Sequence, residues 1–166
     1  MLYLLDANVL IDANRDYYPI VRVPDFWNWL VQMGEAGFIK IPLETYEEIT
    51  ASQEHDDALK QWAKLPETKL ALELNEQANP ELVSRVTYEG YADDLTDVEL
   101  ERIGRDPFIV AYGLVDVANR IVVTTEVSKP RAMRANRHLP DVCANFGLRS
   151  CNTFTLIREL DFATHR

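Results

Sequence analysis

The chain has 166 residues, 47% of them hydrophobic and 27% charged, a balance that belongs to an ordinary globular domain and excludes a disordered or fibrous chain. No apolar run approaches the ~20 residues that cross a bilayer, and the first strand meets Asp6 too early to form the core of a signal peptide, so a soluble, cytoplasmic protein that uses no membrane is expected. The net charge of -10 argues against a nucleic-acid partner, yet it is unevenly spread: residues 1–125 carry 10 basic and 23 acidic side chains, residues 126–166 carry 7 and 4.

The opening run Leu2-Tyr3-Leu4-Leu5 predicts a strand buried on both faces, ending at Asp6 and followed by a helix-like segment. Residues 25–34 predict a core-facing helix: Phe26, Trp27, Trp29, Leu30 and Met33 fall close to helical spacing, Pro24 precedes them, and Gly34 and Gly37 close the segment. Residues 37–42 read as a second strand and residues 43–51 as a helix carrying Glu47 and Glu48. The stretch 54–103, rich in helix formers and broken near Pro66 and Asn79-Pro80, reads as a mostly helical excursion without a strand. A long apolar helix then opens with Asp106 as N-cap and Pro107 at its first position. A third strand at 120–124, a helix at 139–147, a fourth strand at 148–151 and a closing helix at 153–160 complete the chain. The alternation predicts one α/β domain over residues 1–166, with a central parallel sheet of about four to five strands flanked by helices on both faces. Cys143 and Cys151 form no C-x-x-C pair, which excludes a structural zinc site; buried free thiols are expected, with a Cys143–Cys151 bridge as the alternative that the sequence leaves open.

In parallel α/β sheets ligands bind at the carboxyl ends of strands, which singles out four acids. Asp6 ends the first strand, Glu48 lies in the helix after the second, Asp106 opens the apolar helix, and Glu126 follows the third strand. Glu44 and Glu47 are alternatives to Glu48; Glu44 shares its helix face, whereas Glu47 lies about 100° away. Clustered carboxylates repel one another and are tolerated where a hard cation such as Mg²⁺ or Mn²⁺ neutralises them.

These residues resemble a known family. Leu4-Leu5-Asp6-Ala7-Asn8-Val9-Leu10 looks like the opening of PIN domains, and the likeness recurs in order at Thr45-Tyr46-Glu47-Glu48-Ile49, at Asp106-Pro107-Phe108-Ile109-Val110-Ala111-Tyr112 and at Val122-Val123-Thr124-Thr125-Glu126. The chain departs at the fourth position, usually Asp in the family and here Glu126. Pro140-Asp141-Val142-Cys143 with Phe146-Gly147, then Cys151-Asn152-Thr153-Phe154, is similar to a bacterial PIN-like subgroup known only as a domain of unknown function. The resemblance implies a PIN-like fold and a Mg²⁺- or Mn²⁺-dependent ribonuclease with Asp6, Glu48, Asp106 and Glu126 as metal ligands and catalytic residues. It further implies a toxin of the VapC type, held by an antitoxin protein, and a homodimer.

Around this site Asn8 is expected to orient Asp6 or cap the first helix, and Thr124 to support the acids. Lys129, Arg131, Arg134 and Arg137, the densest basic stretch, are expected to contact RNA phosphates. Asp141 reads as a first-turn helix acid, His55, His138 and His165 as uninvolved, and Phe26, Trp27 and Trp29 as core. Two other functions compete: a PIN-like module that binds RNA or protein without cutting, and a haloacid-dehalogenase-like phosphatase. The phosphatase needs a leaving-group acid two residues after its nucleophile, where this chain has Asn8.

Overall fold

A computed structural model describes residues 1–51 and 57–164. The start of the excursion at 54–56, with His55, and also His165, lie outside the described residues. Four strands, β1 (Leu2–Leu5), β2 (Ile39–Lys40), β3 (Arg120–Val123) and β4 (Arg149–Cys151), form one parallel sheet in the order β2-β1-β3-β4. Among the described residues the expectation of four to five strands thus resolves to four.

Side chains alternate across the sheet as a two-residue period requires. Tyr3, Leu5, Ile39, Ile121 and Val123 enter one apolar core, whereas Leu4 and Val122 enter the other. The first core takes Val9 and Leu10 of α1 (Ala7–Asp12), Phe26, Trp27 and Leu30 of α2 (Pro24–Glu35), Tyr46 and Ile49 of α3 (Leu43–Ala51), and Leu156 of α10 (Thr153–Glu159). Trp62 of α4 (Asp57–Lys64) meets Trp27 edge-on at 4.6 Å, and α5 (Pro66–Leu72) packs on α2. Burying such side chains contributes roughly 1.5–3 kcal/mol each, which is why the aromatic run of α2 lies in the core as its spacing predicts. The second core takes Ile103 of α7 (Asp97–Ile103), Ile109, Val110 and Tyr112 of α8 (Asp106–Leu114), and Val142 and Cys143 of α9 (Leu139–Asn145).

The excursion supplies α4, α5, α6 (Pro80–Arg85) and α7, and among its described residues it is mostly helical. It differs from expectation in one respect. Glu73 makes an isolated bridge to Ile41, with Ile41 N–H donating to Leu72 O and Leu74 N–H to Ile41 O, so the excursion covers the otherwise open edge of the short strand β2. Residues Val86–Tyr91, within the stretch expected to be mostly helical, form a π-helical turn that packs against α8 and α9. Among the described residues no helix is long and apolar enough to cross a membrane.

The strand order positions the site. From β1 the chain first adds β2 on one side and then returns to add β3 on the other, so the direction of sheet growth reverses between β1 and β3. The loops after those two strands diverge and leave a crevice at their carboxyl ends. Leu5 pairs with Val123 at the last register position, which brings Asp6 beside Thr124.

Candidate active site

Asp6 stands at that crevice because its backbone still continues the ladder, its N–H donating to Val123 O, while its own position caps α1. Its side chain is not spent on the cap. One carboxylate oxygen instead accepts the Thr124 hydroxyl at 2.9 Å, and the residue is only 7% exposed. Burial raises the Asp6 carboxyl to about 7; the Thr124 hydroxyl and the Ala7 N–H pull it down, whereas Glu48 and Glu126 push it up. Thr124 therefore supports Asp6 as expected, and its oxygen also accepts the Glu126 N–H at 3.2 Å. Asn8 does not play the role expected of it. It is exposed inside the first turn of α1, and among the described residues it makes no hydrogen bond to Asp6 and does not cap the helix, since Asp6 already occupies the cap position.

Asp106 is one residue further into its helix than the sequence predicts: Arg105 is the cap, and Asp106 and Pro107 occupy the first turn. The Asp106 carboxylate makes no capping bond and is free to face the crevice. Burial again raises its pKa well above the carboxylate range, and Asp6, Glu126 and Glu48 add to the effect. Opposing them is the Tyr91 hydroxyl, which donates to Asp106 Oδ2 at 3.5 Å from the end of the π-helical turn. Tyr91 is buried, and its own hydroxyl is pushed strongly upward by burial and then by Asp106 and Glu126. Sequence reasoning missed Tyr91. Nothing in its local pattern points to a site; only the packing of the excursion on α8 brings it there.

The second acid was open among three neighbours, and the structure separates them. Glu47 pairs with Arg105 at 2.5 Å, and Arg105 also donates to Glu44 O. Glu44 turns toward Tyr112, whose hydroxyl reaches it at 3.5 Å, and its other oxygen is buried without a hydrogen-bond partner. Glu48 alone of the three faces Asp6 and Asp106 closely enough to raise both. The fourth acid, Glu126, uses one oxygen to accept Leu139 N–H at 2.7 Å.

Asp6, Glu48, Asp106 and Glu126 therefore lie within one another's electrostatic field, and among the described residues none of the four pairs with a Lys or Arg. Among those residues, however, no three His, Cys, Asp or Glu side chains are gathered tightly enough to hold an ion as they stand. The reason is visible in their partners: Asp6 is drawn to Thr124, Glu126 to the start of α9, and Asp106 toward Tyr91, while mutual repulsion opposes approach. An all-oxygen donor set with uncompensated negative charge fits a hard divalent cation, which would offset the burial and the repulsion that together raise Asp6 and Asp106.

The basic stretch behaves differently from the expectation of four phosphate contacts. Arg134 is occupied by Asp94 and Glu99, at 2.5 and 2.6 Å, and sits at a positive φ of 54° that this clamp holds. Arg137 donates to the carbonyl oxygens of Gly90 and Asp141, and Arg131 is exposed. Asp141 is a loop brace: it accepts the Ser128 hydroxyl and the Lys129 N–H, which together with Arg137 and His138 hold its carboxyl below the usual range despite opposing desolvation. His138, expected to be uninvolved, borders the same cleft as Asp106 and Glu126, and its Nδ1 is buried without a hydrogen-bond partner. Both cysteines are free thiols, and burial, then Asp106 and Asp6, pushes Cys143 up to about 12.

A family profile described as a domain of unknown function (DUF4411) matches residues 3–164, so the chain belongs to that family. No curated protein and no solved structure matches it.

Proposed function

We propose that this DUF4411 member is a metal-dependent endoribonuclease of the PIN type. One observation carries the reading: near the carboxyl ends of β1 and β3 the buried carboxyls of Asp6 and Asp106 are both opposed in ionising by Glu48 and Glu126, and among the described residues no cationic side chain pairs with any of the four. Structural acids in this chain are treated otherwise, as the pairs Glu47–Arg105 and Glu99–Arg134 illustrate. The order and spacing of the acids resemble those of PIN domains, and the four-stranded parallel sheet is consistent with that fold.

In this reading Asp6, Glu48, Asp106 and Glu126 hold Mg²⁺ or Mn²⁺. When bound, such a cation supplies Lewis acidity toward the scissile phosphate and its attacking water. The chain's own residues do the positioning. Thr124 fixes the rotamer of Asp6 through its hydroxyl, Tyr91 does so for Asp106, and the Leu139 N–H does so for Glu126. Buried Asp6 and Asp106 can each hold a proton when no cation is present, so cation binding expels protons from the site.

The family resemblance further supports a toxin restrained by an antitoxin protein, a homodimer and a cytoplasmic setting. The phosphatase alternative stays weak on chemical grounds, since Asn8 cannot donate a proton to a leaving group. A non-catalytic RNA- or protein-binding module is the stronger competitor, because the acids are not already gathered around an ion site. Incubating purified protein with labelled single-stranded RNA in Mn²⁺, in Mg²⁺ and in EDTA decides between them. Internal cleavage that EDTA abolishes is expected; binding without cleavage under every metal condition would establish the non-catalytic module.

A further inference from the structure

Beside the carboxylates lies a cleft of about 380 Å³ bordered by Asp106 and Glu126 together with Arg102, Lys129, Arg137 and His138. Its basic side chains come from distant parts of the chain: Arg102 belongs to α7 in the excursion, whereas Lys129, Arg137 and the imidazole of His138 follow β3. Opposite charges share this cleft, yet among the described residues none of these basic side chains forms an ion pair with Asp106, Glu126 or any other carboxylate.

The guanidiniums are held by neutral groups instead. Arg102 Nη1 donates to Asn136 Oδ1 at 2.8 Å, and Arg137 donates to Gly90 O and Asp141 O. Neutral acceptors orient a guanidinium without cancelling its charge, and they leave several of its five N–H donors for another partner. Arg134, a few residues away, shows the contrary arrangement, with two carboxylates satisfying it. His138 Nδ1, buried and unpartnered, adds a polar atom that the fold itself does not satisfy.

We propose that this cleft seats a phosphodiester of single-stranded nucleic acid adjoining the one that is cut, with Arg102, Lys129, Arg137 and His138 as its binding residues. The assignment rests on the carboxylates being a nuclease site. A backbone phosphate satisfies the cationic wall, while the neighbouring phosphate lies toward the carboxylates, so the separation of charge within one cleft matches the repeat of charge along the strand. Arg131 and Arg134, although part of the same basic stretch, lie outside this subsite.

The test is fluorescence anisotropy of a short labelled single-stranded RNA in EDTA, where no cutting intervenes, at several salt concentrations. Arg102→Gln and Lys129→Ala should each weaken binding and flatten the dependence of log affinity on log salt by about 0.7. His138→Gln should weaken binding, and Arg131→Ala should leave both quantities at the wild-type value. Melting curves identify any variant that has lost its fold, and Lys129, whose side chain makes no hydrogen bond or ion pair among the described residues, keeps the test open if Arg102→Gln fails to fold. Slopes unchanged in the cleft variants, an equal effect from Arg131→Ala, or no binding by wild type at low salt would each overturn the subsite. Slopes that change as expected without cleavage in Mn²⁺ would support the subsite and end the nuclease reading.

Discussion

The crevice and the segment that follows it handle like charges in opposite ways. At the ends of β1 and β3, burial first and the neighbouring charges of Glu48 and Glu126 second leave Asp6 and Asp106 with carboxyls that resist ionisation. At Arg134, by contrast, the guanidinium meets two carboxylates, Asp94 and Glu99, and ties residues 134–136 to the start of α7. The lesson is that charge density alone does not identify a functional surface. A charge left unmatched in a fold that matches others nearby does so better, because its cost persists only where something outside the chain compensates it.

The comparison breaks most visibly in activity. Asp6→Asn and Asp106→Asn should each abolish metal-dependent RNA cleavage, a loss of at least a hundredfold, since altering even the groups that support metal ligands commonly costs 10- to 100-fold. Full cleavage by Asp6→Asn protein, freed of contaminating nuclease, would return the crevice to a structural role. Thr124→Val should lose about 10- to 100-fold in Mn²⁺ affinity, because the hydroxyl that orients Asp6 is gone while the fold's shape is kept. Unaltered affinity measured by calorimetry would mean that Thr124 merely ends a strand.

A smaller effect lies in stability. The Asp6 carboxyl titrates near 7 in the metal-free fold against an ordinary value of 3.8, so the folded chain binds this proton more tightly than the unfolded chain. The stability it contributes is fully present below about pH 4 and is lost as pH rises toward and through 7. Melting temperature in EDTA should therefore fall across that window, and Asp6→Asn should flatten the fall and melt higher than wild type at neutral pH. At ten to a hundred times its dissociation constant, Mn²⁺ should restore about 1.4 to 2.7 kcal/mol. That corresponds to roughly 3 to 10 °C for a domain of this size. A mutant less stable in EDTA that keeps the whole Mn²⁺ shift would make Asp6 a structural acid. Smallest of all is the effect of Arg134→Ala, which should lower the melting temperature slightly and leave the salt dependence of RNA binding untouched. A flattened slope there would mean that the clamp with Asp94 and Glu99 opens to engage RNA.

The elements were largely legible in the sequence because each is marked locally: apolar runs for β1 and β3, Pro24 at the first position of α2, the helical spacing of Phe26, Trp27 and Leu30. The four acids were legible because strand ends in a parallel sheet are where ligands bind. What escaped depends on contacts distant in the chain. Tyr91 reaches Asp106 only through the packing of a π-helical turn on α8, and π-helical turns leave no distinct pattern in a single sequence. The choice among Glu44, Glu47 and Glu48 turned on Arg105, some 60 residues away along the chain, which takes Glu47 out of contention. Arg134 and Arg137 look alike in a basic run, yet one meets carboxylates and the other carbonyls, a difference set by α7 and the π-helical turn. Asn8 was misplaced for a simpler reason: Asp6 takes the cap, so the helix begins two residues earlier than a capping role for Asn8 requires.

The claim that these four carboxylates form one cation site is tested most directly by Mn²⁺ titration calorimetry on the full chain. Wild type should bind Mn²⁺ with release of protons near neutral pH. Asp6→Asn, Glu48→Gln, Asp106→Asn and Glu126→Gln should each weaken binding by at least tenfold, while Glu47→Gln, which removes an acid already paired with Arg105, should bind as wild type does. Equal binding by wild type and all four site variants, or no Mn²⁺ binding by wild type, would contradict it.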